Sequence, residues 1–254
     1  MAPRIAMSMP HGLDLQYAER AVSQYERAIA LAGGEPVRIG LKLPDAAIAN
    51  TLKSCDGVLL PGSKADIDPE RFHVMRSPHA ASADPRRESV DNLLLDHAFH
   101  SRKPVLGICY GLQSLNVYLS GSLIQHIPDF LPESKRAKVN HEAGKSVAVA
   151  HTVAIEANSK LGAIIGNNGS ISGKEGKLIL PVNSSHHQSA DAIGHGLRIV
   201  ARCSEDDVIE AVEGTSADHF VLAVQWHPER SVDGDEASRA IFRALIDAAI
   251  QKKG

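Results

Sequence analysis

The stretch Pro104-Val-Leu-Gly-Ile-Cys-Tyr-Gly-Leu-Gln-Ser-Leu-Asn-Val-Tyr-Leu119 decides how this chain is read. Its first part is a short continuous apolar run, suited to a strand buried on both faces, and from Gly111 the apolar residues take up helical spacing until Gly121. The switch falls at Cys109, with Gly107 two residues before it and Gly111 two residues after. Strand, tight turn and helix with glycines so placed is the pattern of a nucleophile elbow: the glycines let backbone approach backbone, and the turn lifts the central side chain clear of the sheet. The start of a helix then favours a thiolate there. A cysteine in an apolar run is ordinarily one more small buried hydrophobe. The paired glycines set Cys109 apart from Cys55 and Cys203, which lack that frame and read as structural. The amide of Tyr110, next in sequence, points where a tetrahedral intermediate would gather negative charge.

Outward from the elbow the first half alternates apolar runs with helical patterns, which predicts a parallel sheet covered by helices on both faces. Arg4–Met9, Pro36–Ile39 and Gly57–Leu60 read as strands. Leu15–Ala32 reads as a helix stopped by Gly33-Gly34, and Asp45 caps a short helix ending near Leu52. Residues 64–87, rich in Pro, Ser, Asp and Arg, read as a long irregular loop of the kind that is often functional, followed by a helix at 88–99. Beyond residue 145 strands are expected at 146–156, 178–183, 197–203, 208–213 and 220–226, several joined too closely for helical crossovers and therefore antiparallel. A helix at 235–250 closes the chain. The expectation is α/β: a single domain, 1–254, with a mixed, mainly parallel sheet flanked by helices.

Composition bounds the chemistry. The 254 residues are 43% hydrophobic and 22% charged, which supports a packed globule. With 27 basic against 30 acidic side chains and no basic run, there is no footprint for nucleic acid or an anionic membrane, so a small-molecule substrate is expected. Three scattered cysteines do not form a disulfide framework, and the N-terminus runs into strand-like sequence without a signal-peptide pattern; a cytoplasmic location is the expectation.

A cysteine nucleophile needs a base and a group to orient that base, and Gln225-Trp-His-Pro-Glu229 offers both at the end of an apolar strand. An isolated His-x-Glu is ordinarily a surface histidine beside a solvated carboxylate. Paired with a cysteine elbow, it makes His227 the candidate base and Glu229 its orienting group. The adjacent His186 and His187 are weighed as metal ligands and set aside, because neighbouring strand residues face opposite ways and no Cys or carboxylate stands at a completing spacing. No metal is expected. No phosphate-binding glycine loop appears, and no cofactor is expected.

Gly107-Ile-Cys-Tyr-Gly-Leu-Gln113 and Gln225-Trp-His-Pro-Glu229 together resemble the class I glutamine amidotransferase superfamily, over most of the chain, and within it the peptidase C26 group. Leu60-Pro-Gly-Ser63, Val182-Asn-Ser-Ser-His-His-Gln188 and residues 197–202 with 208–212 are similar to the branch of that group that cleaves γ-glutamyl-γ-aminobutyrate in putrescine breakdown. The resemblance implies a class I amidotransferase-like fold with a flavodoxin-like core and a Cys109, His227, Glu229 triad. It also implies an oxyanion hole completed by Gly62 and Ser63 beside Tyr110, and a γ-glutamyl group held by Gln113, Ser185 and His186. Ser63 stands where many relatives have a second glycine, and Tyr110 where an arginine often follows the nucleophile. Two other functions stay open: a glutaminase that passes ammonia to a synthetase partner, and a catalytically silent binding protein on the same fold. A homodimer is compatible with either.

Overall fold

The computed structural model describes residues 1–136, 139–166, 171–172 and 176–253. In chain order the first half comprises β1 (Arg4–Ser8), α1 (Leu15–Leu31), β2 (Glu35–Ile39), α2 (Asp45–Lys53), β3 (Gly57–Leu60), α3 (Pro85–Ser101), β4 (Val105–Ile108) and α4 (Tyr110–Tyr118). The second half comprises β5 (Leu123–Ile124), α5 (Ile127–Phe130), α6 (Glu133–Arg136), β6 (His151–Glu156), α7 (Lys160–Ile165), β7 (Ile171–Ser172) and β8 (Lys177–Val182). It ends with β9 (Ser189–Ala190), β10 (Leu197–Cys203), β11 (Ile209–Gly214), β12 (Val221–Val224) and α8 (Glu236–Lys253).

One mixed sheet, ordered β2-β1-β3-β4-β12-β11-β10-β6-β8-β7, runs through the described residues. The stretch from β2 to β12 is parallel, and from β12 onward the pairings are antiparallel. β5 and β9 form a separate antiparallel pair. Helices cover both faces, as the alternation in the sequence predicts. On one face α1, α7 and α8 bury Val22, Ile29, Leu161, Ile241 and Leu245 against the sheet; on the other α2, α3 and α4 bury Ile48, Leu94, Leu95 and Leu115. Parallel strands sheathed in this way have continuous apolar sequences, and β3 and β4 are buried at every position. The order 2-1-3-4 of the parallel half is that of a doubly wound sheet, whose ligands sit beyond the carboxyl ends of the strands. Cys109 lies at that end of β4. Among the described residues no helix is long and apolar enough to cross a membrane.

Two boundaries and one loop differ most from the sequence reading. α3 begins at Pro85, not near residue 88, because Asp84 caps it by accepting from the Arg87 amide at 3.1 Å and Pro85 takes the first helical position. The preceding loop is not wholly irregular, since Pro69–Phe72 forms a 3-10 turn capped by Asp68. The strand expected from residue 146 begins at His151: Ala143–Lys145 is a 3-10 turn, and the Val147 amide donates back to the Ala143 carbonyl.

Candidate active site

Cys109 adopts φ 53° and ψ −107°, a region that disfavours any residue carrying a Cβ, and its amide donates to the Val224 carbonyl of β12 at 2.8 Å. The flanking glycines make the turn possible. A Cβ on Gly111 would lie 2.0 Å from the Leu60 carbonyl oxygen, and one on Gly107 would lie 2.8 Å from the Gly111 oxygen. β4 and β12 are parallel neighbours with Ile108 beside Val224, so the chain leaves both strands at the same edge of the sheet.

Past β12, residues 228–230 form a 3-10 turn entered at His227, and this turn brings side chains two apart onto one side. His227 Nδ1 donates to Glu229 Oε1 at 2.8 Å, both groups being buried. The His227 amide in turn donates to Asn183 Oδ1 at 3.1 Å. Burial by itself would lower the imidazole pKa; the Glu229 carboxylate and then the Cys109 sulfur more than offset this, and His227 is pushed up to about 9. Burial likewise opposes the charge on Glu229, yet His227 holds its carboxyl below the ordinary range. Gly62 lies against both side chains: a Cβ there would be 3.1 Å from His227 Cε1 and 3.6 Å from Cys109 Cβ.

Cys109, Tyr110, Gln113, Ser63, Ser185, His186 and His227 all border one cavity of about 510 Å³, with Glu229 standing behind His227. Its charged lining is mixed, with Asp66 and Glu142 on the acidic side and Lys64, Lys145 and Arg230 on the basic. A space of this size accommodates a small ligand with both an ammonium and a carboxylate.

Two expected roles do not match the geometry. The Gly62 amide donates to Tyr25 Oη at 2.9 Å, so it is already engaged, while no described group accepts from the amides of Ser63 or Tyr110. Of the two loop positions, Ser63 is the one that borders the cavity, with its amide unengaged among the described residues. His186 is turned toward the buried carboxylate of Glu210: Nδ1 donates to the Gln188 carbonyl at 2.8 Å, and Nε2, which makes no hydrogen bond, lies 3.3 Å from Glu210 Oε1. Its neighbour His187 does face elsewhere, Nε2 lying 3.1 Å from Asp66 Oδ1.

Other residues escaped the sequence reading. Arg87, fully buried, donates to Asp91 Oδ1 at 2.8 Å and to the carbonyls of Pro10 and Pro61 at 3.0 and 2.7 Å, tying α3 to the loops after β1 and β3. Tyr25 and Asn183 hold Gly62 and His227. Their partners lie 37 and 44 residues away in sequence, and no local pattern marks them.

The peptidase C26 family model matches residues 6–229. The chain is 32% identical to a glutamine amidotransferase-like protein of Rickettsia prowazekii, over 89% of this chain and 87% of the relative. It is 31% identical to the γ-glutamyl-γ-aminobutyrate hydrolase of Escherichia coli strain K12, over 89% of this chain and 84% of the relative. Among solved structures it is similar to a GMP synthase subunit from Thermoplasma acidophilum, with a TM-score of 0.61, 13% identity, and coverage of 100% of this chain and 96% of the other. The Trypanosoma brucei CTPS glutaminase domain gives a TM-score of 0.59 at 20% identity, covering 98% of this chain and 94% of the domain. The last two likenesses concern the fold, a glutamine amidotransferase type. Family match, relatives and architecture agree, and the chain belongs to the peptidase C26 family of the class I glutamine amidotransferase superfamily.

Proposed function

We propose that this protein is a γ-glutamyl amide hydrolase with Cys109 as nucleophile, His227 as base and acid, and Glu229 as the group that orients His227. The observation that carries the reading is the convergence of the Cys109 elbow and the His227–Glu229 pair on one cavity. The Cys109 thiolate attacks the γ-carbonyl carbon, and the carbonyl oxygen becomes an oxyanion facing the amides of Tyr110 and Ser63. Collapse breaks the C–N bond, His227 gives its proton to the leaving amine, and a γ-glutamyl thioester remains on Cys109. Water, deprotonated by His227, then attacks the thioester; glutamate leaves and the thiol regains its proton. Each oxyanion donor contributes on the order of 3 kcal/mol in comparable acyl transfers. The raised basicity of His227 suits the first step, since it holds the proton the amine needs.

The substrate favoured is γ-glutamyl-γ-aminobutyrate, on the strength of relatives of that name and of the cavity's mixed charge. On this reading Gln113 and Ser185 hold the α-amino and α-carboxylate ends, with Glu142 or Asp66 and Lys145 or Arg230 as charged neighbours around the same cavity. The second reading is a glutaminase delivering ammonia to a partner, favoured by relatives named as glutamine amidotransferases. A panel of γ-glutamyl amides that includes glutamine, scored for free glutamate with and without cell extract, decides between them. Preference for γ-glutamyl-γ-aminobutyrate without extract supports the hydrolase. Glutamine turnover dependent on extract supports the glutaminase, and no turnover of any amide by a folded protein rejects both.

A further inference from the structure

His141, His151, His186 and Glu210 come from four separate places in the chain: the loop before the Ala143 turn, the start of β6, the loop after β8, and β11. All four are buried, and one ligand-type atom from each lies within 4.8 Å of every other. The three imidazoles aim at a single oxygen. His141 Nδ1, His151 Nε2 and His186 Nε2 stand 3.2, 3.3 and 3.3 Å from Glu210 Oε1.

The opposite nitrogen of each ring is engaged by an acceptor. His141 Nε2 donates to Asp206 Oδ2 at 2.9 Å, His151 Nδ1 to the Thr152 carbonyl at 3.2 Å, and His186 Nδ1 to the Gln188 carbonyl at 2.8 Å. In a neutral imidazole only one nitrogen carries hydrogen, so these bonds fix the tautomer and turn three lone pairs toward the carboxylate. Such an arrangement is unfavourable for a buried anion alone, and neither Glu210 oxygen receives a well-formed hydrogen bond. It is favourable around a cation. Metal-bound histidines characteristically donate their second N–H to a carboxylate or a backbone carbonyl, as all three do here. Ligands about 2.0 Å from a tetrahedral ion stand roughly 3.3 Å apart; the three nitrogen-to-oxygen edges match this, and the nitrogen-to-nitrogen edges lie within 4.8 Å, which binding would draw in.

We propose that His141, His151, His186 and Glu210 form a closed tetrahedral site for a divalent metal, zinc by its donor and geometric preference, which fixes the segment Asn183–Gln188 beside the reactive cavity. With four protein ligands and no position for substrate, the ion is structural. Its leverage lies in the segment it holds. Asn183 accepts from the His227 amide, Ser185 borders the cavity, and the Gln188 carbonyl accepts from Gln113 Nε2 at 3.3 Å. The sequence argument against a metal pair at His186-His187 overlooks ligands contributed from β11, from the start of β6 and from the loop before it, while His187 lies outside the cluster.

The test uses the full chain without a histidine tag, loaded with zinc, dialysed and assayed by elemental analysis. About one tightly held zinc per chain is expected, with Glu210→Gln reduced well below that. Cobalt in place of zinc is expected to give the intense visible bands of tetrahedral nitrogen and oxygen coordination in the wild type, which needs no variant to fold. Zinc retention no greater than in Glu210→Gln, or no tetrahedral cobalt spectrum, overturns the site in favour of protons shared among the imidazoles. A thiolate-to-cobalt charge-transfer band also overturns it, placing the ion at Cys203 with His141 and Asp206. Hydrogen exchange supplies a readout independent of turnover: faster exchange across residues 183–188 on chelation is expected, and unchanged exchange removes the positioning role.

Discussion

The guanidinium carbon of Arg87 lies 4.8 Å from the centre of the ring of Tyr110, a residue that borders the Cys109 cavity. A buried cation stacked on an aromatic face is worth about 2 kcal/mol when desolvated. Here the same guanidinium bonds to the carbonyl of Pro61, next to Gly62. One side chain therefore braces both walls of the proposed oxyanion site. Arg87→Met removes the stack and leaves Asp91 buried with, among the described residues, only the Ser8 hydroxyl, 2.6 Å away, as donor. Breaking a buried pair in this way is expected to lower stability by about 3–5 kcal/mol in urea unfolding. At temperatures where the variant remains folded, kcat should fall more than KM rises.

Tyr25→Phe tests the hydroxyl that accepts from the Gly62 amide. The donor is left buried without an acceptor, and a loss of about 1–3 kcal/mol is expected from thermal or chemical unfolding. Because Gly62 packs against His227 and Cys109, turnover should drop as well. Unchanged kcat with reduced stability would confine Tyr25 to a structural role.

Glu229→Gln tests the pH dependence. His227 is pushed up to about 9, so its proton, and the stability its interactions bring, are fully present below the ordinary imidazole value and are lost as pH rises through 9. An alkaline limb of kcat/KM near that pH is expected if His227 must supply a proton to the leaving amine. The Glu229 carboxylate is the foremost of the groups raising it, so in Glu229→Gln the limb should move toward neutral pH with a lower plateau. A limb that stays in place would remove His227 from the acid role.

Alkylation with iodoacetamide near neutral pH should modify Cys109 far ahead of the other thiols, as read by peptide mass spectrometry. All three cysteines are free and buried, but burial pushes the thiols of Cys55 and Cys203 up, and only Cys109 borders the cavity. Equal, slow labelling of the three would favour the catalytically silent alternative.

The legible parts of the molecule were those with local causes. Gly107 and Gly111 announce the elbow because only glycine fits against Leu60 and against the turn itself, and Gly33 ends α1 with φ 90° as its position suggests. Asp84-Pro85 is an equally local helix start, hidden within a segment whose composition reads as loop. β5 and β9, two residues each, are too short for any periodicity to show. What lay beyond sequence was long-range: the Tyr25 acceptor for Gly62, the ties from Arg87, and the meeting of His141, His151, His186 and Glu210. Cys109 and the His227–Glu229 pair each carry their own pattern, whereas Gly62 and His186 were assigned by likeness alone, and their bonding partners in the fold place them differently.

The backbone angles of Cys109 carry one more consequence. A side chain held at φ 53° and ψ −107° is disfavoured by about 1–3 kcal/mol, and glycine alone would be at ease there. Cys109→Gly should therefore melt at a higher temperature than Cys109→Ala, both being inactive. If the proposed chemistry is right, robustness and reactivity pull in opposite directions at this corner: the conformation that presents the sulfur is one the chain would hold more easily without it.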